Sequence, residues 1–278
     1  LNPDIAVVTA MDADHLDIYG TAAAMEDAFI EFAEKTKPGG LLIRKNSLTR
    51  LINANVDRQL TYELQDTSAD VYVTNMRTHN GSYWFDVQIK DHQINEVNLN
   101  IGGLHNAENA LVAIAIAKHL GIDDEKIKRA IADFKGVKRR FEYVLKNEQH
   151  IIIDDYAHHP EELNAFISGA RSVFPKHKIT IVFQPHLFSR TRDLADGFAA
   201  ALDKADAIIL LPIYPARELP IEGITEKIIF EKMTNQQKYM LNKTDMLSYV
   251  EANRPELLIM AGAGDIDALV ESVNQILK

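Results

Sequence analysis

The second half of the chain alternates short apolar segments with amphipathic ones, and this alternation is the strongest restriction on its fold. Segments of strand length alternate with segments of helical spacing, a pattern typical of a parallel sheet with helices on both faces. Strands are predicted over residues 151–154, 179–183, 207–211 and 257–261, and helices over 161–173, 192–204, 244–252 and 266–277. We therefore expect a Rossmann-like α/β domain over residues 141–278.

The first half predicts a second domain, over residues 1–140, that combines a mixed sheet with helices. Thr21 is a plausible N-cap for one of the helices, and Asn80-Gly81 is a turn signal between two strands. From residue 59 to 101, apolar and polar residues alternate, which favours largely antiparallel strands. Further strands are predicted over 5–9 and 41–44, and helices over 21–35, 106–120 and 124–133. The domain boundary is expected near residues 136–140.

Composition excludes several classes of protein. The 278 residues include no cysteine, which rules out disulfides and thiolate metal sites and fits a reducing cytosol. The formal charge of −10 disfavours a nucleic-acid partner, and no apolar stretch is long enough to span a membrane. The first residues do not include a basic segment followed by an apolar one, so no signal peptide is expected. An anionic substrate would need local cations or a metal.

The segment Ala13-Asp14-His15-Leu16-Asp17 follows the first predicted strand, so it lies at the edge of the sheet where open α/β folds bind ligands. Two carboxylates flank the imidazole of His15, and a histidine can bind a metal while a carboxylate orients its other nitrogen. The alternative is a polar turn in which an aspartate caps the next helix.

Two asparagines lie near the start of the predicted helix 106–120. Asn106 and Asn109 are three residues apart and therefore share a helix face. A carboxamide both donates and accepts hydrogen bonds, which suits a purine edge. The alternative is that Asn106 only caps the helix.

A basic cluster, Lys138-Arg139-Arg140, lies at the expected domain boundary. Arginine presents a planar fork that suits phosphate or carboxylate groups. The alternative is a solvated surface turn.

Acids and histidines follow the predicted strand 151–154. Asp154 and Asp155 end the strand, and His158 and His159 precede a helix that Pro160 can begin. Asp155 could accept from a ribose hydroxyl, or it could orient an arginine or a metal-bound water. The histidines could bind an anion or transfer a proton. The alternative is helix capping by the aspartates.

The next strand is followed by His186, Arg190 and Arg192, which could clamp a carboxylate. In the alternative, Asp193 pairs with one of the arginines on the surface. Gly262-Ala263-Gly264-Asp265 follows the last strand and is interpreted as a tight turn, because Asp265 would repel a phosphate.

Together these segments resemble the Mur ligases of peptidoglycan synthesis, over nearly the whole chain. The segments that carry the resemblance are Ala13-Asp14-His15-Leu16-Asp17, His105-Asn106-Ala107-Glu108-Asn109, Arg139-Arg140-Phe141, 154–160, 183–193, Tyr214-Pro215-Ala216-Arg217-Glu218 and Gly262-Ala263-Gly264-Asp265-Ile266.

The resemblance implies an ATP-dependent ligase of the cytoplasm that joins L-alanine to UDP-N-acetylmuramate through an acyl phosphate. It implies that His15 binds Mg²⁺, that Asn106 and Asn109 hold the adenine, and that Arg140 and Asp155 position ATP. His158 and His159 would lie near the reacting groups. The residues implied in alanine binding are His159, His186, Arg190 and Arg192. Leu187 stands where the family usually has an arginine.

The resemblance also implies parts that these residues do not contain. A uridine-nucleotide domain and a Gly-Lys-Thr phosphate loop are expected upstream, and no Gly-Lys-Ser or Gly-Lys-Thr occurs in the chain. The expectation is therefore a truncated ligase that does not turn over alone, with dimerisation or instability at an incomplete sheet edge. The alternatives are a tripeptide-recycling ligase and a non-catalytic nucleotide-binding remnant.

Overall fold

The computed structural model describes residues 1–11 and 19–278, and these divide into two compact units. The first unit consists of residues 1–77, 83–99 and 105–133, and the second consists of residues 78–82, 100–104 and 134–278.

The first unit is built on a mixed sheet. In the described residues its strands follow one another across the sheet in chain order: β1 (Ile5–Val8), β2 (Leu41–Lys45), β3 (Gln59–Tyr62), β4 (Val71–His79), β5 (Ser82–Ile89) and β6 (His92–Leu99). β1, β2, β3 and β4 pair in parallel, whereas β5 and β6 are antiparallel.

The prediction of largely antiparallel strands over 59–101 is therefore wrong for β3, which is parallel to both of its neighbours. Alternation of apolar and polar residues reports which side chains face the core, but it does not report the direction of the strand. The turn predicted at Asn80-Gly81 is confirmed between β4 and β5.

Helices cover this first sheet. They are α1 (Ala22–Glu34), α2 (Leu104–His119) and α3 (Asp124–Asp133), with a short 3-10 turn at Thr49–Leu51. Thr21 caps α1 as predicted, because its side chain accepts from the Ala24 N–H at 3.1 Å. Phe29 and Ile30 of α1 pack on a core that includes Val8 and Leu42, so burial of this apolar face stabilises the helix.

The second unit is a nearly parallel sheet with helices, as the alternation predicts. Across the sheet in the described residues the strands are β11 (Lys238–Met240), β10 (Ala207–Leu210), β9 (Ile179–Phe183), β12 (Leu257–Ala261), β8 (Ile151–Asp155) and β7 (Glu142–Lys146). Only the pair β7–β8 is antiparallel. The helices are α4 (Pro160–Val173), α5 (Phe188–Leu202), α6 (Lys227–Lys232), α7 (Lys243–Asn253) and α8 (Asp267–Leu277).

Both faces of this sheet are buried. Ile152, Val182, Ile209 and Leu258 are fully inaccessible and belong to one core cluster with residues of α7 and α8. Strands buried on both faces read as continuous apolar runs, which is why their positions are predictable. The carboxyl ends of β8, β9, β10 and β12 meet at one edge of the sheet, and the candidate site lies there. Within the described part of the chain, no helix is both long and apolar enough to cross a lipid bilayer.

Candidate functional site

The carboxyl end of β8 is fixed by Asp155, which is buried. One carboxylate oxygen accepts the Phe141 N–H at 2.8 Å, and the other accepts the Ala157 N–H, also at 2.8 Å. Burial raises the pKa of Asp155, while the two backbone donors act in the opposite direction. Asp155 thus joins the segment before β7 to the loop after β8.

Arg139 connects the ends of β8 and β12. Its Nε lies 3.2 Å from Asp154 Oδ2, its Nη2 donates to the Gly262 carbonyl, and its Nη1 lies 3.7 Å from Asp267 Oδ2. The guanidinium also lies 5.0 Å from the centre of the Tyr156 ring. Arg139 itself has a left-handed backbone, with φ of 58°. These contacts hold the rim of the sheet in one arrangement.

Asp154 is the less satisfied of the two acids. It is 2% exposed, and its Oδ1 has no hydrogen-bond partner among the described residues. Burial raises the pKa of Asp154 to about 6, although Arg139 opposes the shift. The carboxyl group is therefore partly protonated under mildly acidic conditions.

An imidazole and arginine cluster lies next to this rim. Arg190 Nη1 is 3.4 Å from His186 Nδ1, and the rings of His186 and His158 are 6.1 Å apart. His186 stacks on Tyr214 with ring centres 5.7 Å apart. Burial lowers the pKa of His186, and the charge of Arg190 lowers it further. A neutral imidazole is thus held beside a guanidinium.

Backbone pairing between two loops creates this cluster. The Leu187 N–H donates to the Tyr214 carbonyl at 2.9 Å, and the Tyr214 N–H donates to the Pro185 carbonyl at 2.8 Å. Leu187 has a φ of 72°, which turns the chain into α5. Helix α5 consequently starts at Phe188, four residues before the predicted start at 192.

Glu218 stabilises the first turn of α5. Its carboxylate accepts the Ser189 N–H at 2.9 Å and also the Ser189 hydroxyl. These two hydrogen bonds lower the pKa of Glu218. The Tyr214 to Glu218 segment thereby fixes both the ring against His186 and the helix that carries Arg190.

Three other predicted site residues of this unit have different surroundings. Arg192 pairs with Asp193 at 2.7 Å on the surface, so the surface-pair alternative describes its conformation here. His159 precedes α4, and its N–H donates to Glu162 Oε2 at 3.2 Å. Arg140 is exposed, and its guanidinium makes no ion pair with a described residue.

The predicted residues of the first unit lie on α2. Asn106 is half-buried and Asn109 is exposed, and their spacing of three puts them on one face of the helix. Between them, Glu108 pairs with Lys45 at 2.7 Å. His15 lies outside the described residues. Among the residues that are described, no three carboxylate or imidazole side chains come together as a metal site would require.

The predicted tight turn after β12 is confirmed. A side chain at Gly264 would place its Cβ 2.6 Å from Gln184 Oε1 and from Tyr214 Cβ, so only glycine fits. A cavity of about 530 Å³ lies at the same edge of the sheet, between Gln184, Tyr214, Lys243 and Asp265. Lys243 pairs with Asp265 across this cavity at 2.6 Å.

Sequence reasoning missed the roles of Arg139, Gln184, Lys243 and Glu218. Arg139 belongs to the basic cluster Lys138-Arg139-Arg140, and Glu218 ends the segment Tyr214-Pro215-Ala216-Arg217-Glu218. Their contacts join residues far apart in the chain, and spacing alone carries no signal for them.

The sequence of the chain matches two known protein-family models. Residues 1–117 match the family model described as "Mur ligase middle domain", and residues 139–266 match "Mur ligase, glutamate ligase domain". The chain belongs to the Mur ligase family.

Curated relatives of this Mur ligase chain are closely similar to it. The UDP-N-acetylmuramate–L-alanine ligase of Flavobacterium johnsoniae is 44% identical over 279 residues, which cover 100% of the chain and 60% of the relative. The protein of the same name from Christiangramia forsetii is 43% identical, with the same coverage of both. The chain thus spans about 60% of the length of these relatives.

Solved structures agree with the fold. The UDP-N-acetylmuramate–alanine ligase MurC of Thermotoga maritima superposes with a TM-score of 0.77 at 24% identity, over 99% of this Mur ligase chain and 59% of that one. MurF of Acinetobacter baumannii superposes with a TM-score of 0.71 at 18% identity, over 99% and 60%. At these identities the similarity concerns the fold alone.

Proposed function

We propose that this chain forms the middle and C-terminal part of an ATP-dependent ligase that joins L-alanine to UDP-N-acetylmuramate in peptidoglycan synthesis. The observation that carries the proposal is the contact between Arg190 and His186 at the carboxyl edge of the second sheet. The names of the Flavobacterium and Christiangramia relatives support the same substrates.

An amino acid acceptor needs two different contacts, and the cluster offers both. The guanidinium of Arg190 suits the carboxylate of alanine. The amine of alanine must lose a proton before it can attack, and a neutral His186 can accept one. His158 lies beside His186 and can share this role, and His159 and Arg192 complete the proposed alanine site.

The proposed reaction has two steps. A carboxylate oxygen of UDP-N-acetylmuramate attacks the γ-phosphorus of ATP, which forms an acyl phosphate and releases ADP. The alanine nitrogen then attacks the acyl carbon, the C–N bond forms, and the bond from carbon to the phosphate oxygen breaks. The proton of the amine passes to the histidine cluster, and inorganic phosphate leaves.

Residues of each unit are proposed to contact the nucleotide. Asn106 and Asn109 would bind the adenine, because two carboxamides on one helix face match the donors and acceptors of a purine edge. Arg140, which is exposed, would contact the phosphates or the ribose. Asp155 would position ATP through the loop that it holds. Bound Mg²⁺ would neutralise phosphate charge, and His15 is the proposed ligand.

The organisation of the protein is part of the proposal. We assign residues 1–140 to the middle domain and 141–278 to the C-terminal domain, in a cytoplasmic protein without a nucleic-acid or membrane partner. Two copies of the chain are proposed to associate through the edge of the first sheet, because an edge strand has unpaired backbone groups that can bind another strand.

A chimera tests the function. The matching 279 residues of the Flavobacterium johnsoniae ligase are replaced by this chain, and ADP release is measured with UDP-N-acetylmuramate, L-alanine and Mg²⁺. We expect ADP release to require both substrates and to fall at least about tenfold in Arg190→Gln. Lys227→Gln, which removes an exposed lysine of α6 that pairs with Glu231 on the same helix, is the control.

Two outcomes would contradict the proposal. Release of ADP with the tripeptide but not with L-alanine would make the chain part of a tripeptide-recycling ligase. A folded chimera that binds ATP and responds to neither acceptor would favour a nucleotide-binding remnant.

A further inference from the structure

We propose that a cavity in the first unit binds an organic anion that has a phosphate group and an apolar body. The cavity has a volume of about 370 Å³ and lies where β2 and β3 begin and where α2 ends. The cavity therefore lies at the amino ends of the parallel strands. Lys45, which ends β2, lies at the opposite, carboxyl edge of the sheet. The residues proposed for ATP, alanine or metal binding do not line it.

The charge of the cavity is the first observation. The ionisable residues that line it are Arg58, Lys90, Lys118 and His119, and no carboxylate from the described part of the chain lines it. In a chain with a formal charge of −10, this is a local excess of positive charge. Several cations around one cavity favour a dianion such as a phosphate monoester.

Most of this charge is not neutralised by neighbouring side chains. Lys118 pairs with Asp124 at 2.6 Å. Arg58 donates to the Gly39 carbonyl at 2.6 Å, and within the described residues it makes no ion pair. Lys90 and His119 likewise have no carboxylate partner in the described part of the chain. The guanidinium and at least one ammonium group are thus available to an anion.

The inner surface of the cavity is apolar. Leu41, Leu60 and Ala115 are buried, and Ile89 is half-buried beside them. A volume of this size matches the lower range of small-molecule sites, which are typically apolar with a few polar groups. A ligand with an apolar body would cover these side chains while its phosphate meets the cations.

The end of α2 explains only part of the cluster. Lys118 and His119 lie in the last turn of the helix, where cations favourably offset the helix dipole. Arg58 immediately precedes β3 and Lys90 follows β5, so neither belongs to this helix terminus. Their convergence on the same cavity is what points to a ligand.

Phenyl phosphate is a suitable probe, because it combines a dianion with an apolar ring. Amide chemical shifts of the ¹⁵N-labelled chain are followed during titration, and the affinity is measured by calorimetry. We expect shifts at Leu60, Ile89 and Ala115. Lys90→Gln and Arg58→Gln should each weaken binding about fivefold or more, whereas the exposed Lys126→Gln and Arg129→Gln should change it less than twofold. Unchanged amide spectra away from the cavity report that each variant is folded.

Each result decides for or against the site. Benzyl alcohol should give no shifts at these amides, and inorganic phosphate should bind more weakly than phenyl phosphate. Equal binding of inorganic phosphate, or equal affinity of Lys90→Gln and Lys126→Gln, would overturn the proposal. Shifts confined to Asn106 and Asn109 would also overturn it, while leaving the proposed ATP site intact.

Discussion

Arg139 and Asp154 form an ion pair in which the guanidinium Nε lies 3.2 Å from the carboxylate Oδ2. Asp154 is 2% exposed and is the last but one residue of β8, whereas Arg139 precedes β7 and also binds the Gly262 carbonyl after β12. One side chain therefore ties together chain segments that are far apart in sequence. Its neighbour Arg140 remains exposed.

Replacing Arg139 should destabilise the protein. Arg139→Gln leaves a buried carboxylate without its cation, which typically costs about 3 kcal/mol at neutral pH. The loss should be smaller at pH 5, because Asp154 can then take up a proton. Urea denaturation at both pH values measures the free energy of unfolding. Lys138→Gln, an exposed neighbour, should leave it within about 0.5 kcal/mol. Equal stability of the two variants would show that the ion pair contributes little.

Asp154 should also give stability a distinctive pH dependence. Its pKa in the folded state is about 6, above the ordinary value of 3.8, so the folded state binds more protons between these values. Stability attributable to Asp154 must therefore fall as pH rises from about 4 to 6, by on the order of 3 kcal/mol in total.

The test compares the wild type with Asp154→Asn at each pH. The stability of the wild type relative to this variant should decrease across that range. Asp193→Asn is the control, because Arg192 lowers the pKa of Asp193 and the stability from that pair is lost as pH falls. A wild-type advantage over Asp154→Asn that rises with pH would contradict the raised pKa.

The sequence predicted well those elements that are buried on both faces. The observed bounds of β9 and β12 are the predicted ones, 179–183 and 257–261. Both strands are buried on both faces, so each appears in the sequence as a continuous apolar run. Strand β7 was missed, since Glu142–Lys146 is an edge strand that is largely half-exposed and has no such run. The alternation of apolar and polar residues also failed to predict strand direction in the first sheet, where β3 is parallel to β2.

The site was predictable in its residue types but less so in its contacts. His158, His186 and Arg190 do come together, because each follows the carboxyl end of a strand of the same sheet. The positions of Lys138, Arg139 and Arg140 in the sequence do not predict which of their side chains points into the protein. That choice depends on Asp154 and Gly262, which the chain brings there only after folding.

Asp155 should be required for stability as well as for any role in ATP binding. Both of its oxygens accept backbone N–H groups, and an asparagine would present an NH₂ group to one of these donors. Asp155→Asn should therefore cost about 2 kcal/mol, the penalty for a buried unsatisfied donor. Thermal and urea unfolding measure the loss, with the exposed Glu251→Gln as the control. If Asp155→Asn is fully stable but fails to bind ATP, Asp155 acts only in ATP binding and the predicted loss of stability is wrong.

The titration of His186 reports directly on the proposed alanine site. Burial lowers the pKa of His186, and the positive charge of Arg190 adds to the effect. Arg190→Gln removes that charge, so the pKa of His186 should rise toward its ordinary value, and the imidazole should become protonated at a higher pH. NMR titration of the histidine ring measures the change. Arg192→Gln should leave the titration unaltered, because Arg192 is paired with Asp193 on the surface. If both variants shift the His186 pKa equally, the effect belongs to the overall charge of helix α5, and the specific contact between Arg190 and His186 would lose its role in the proposed site.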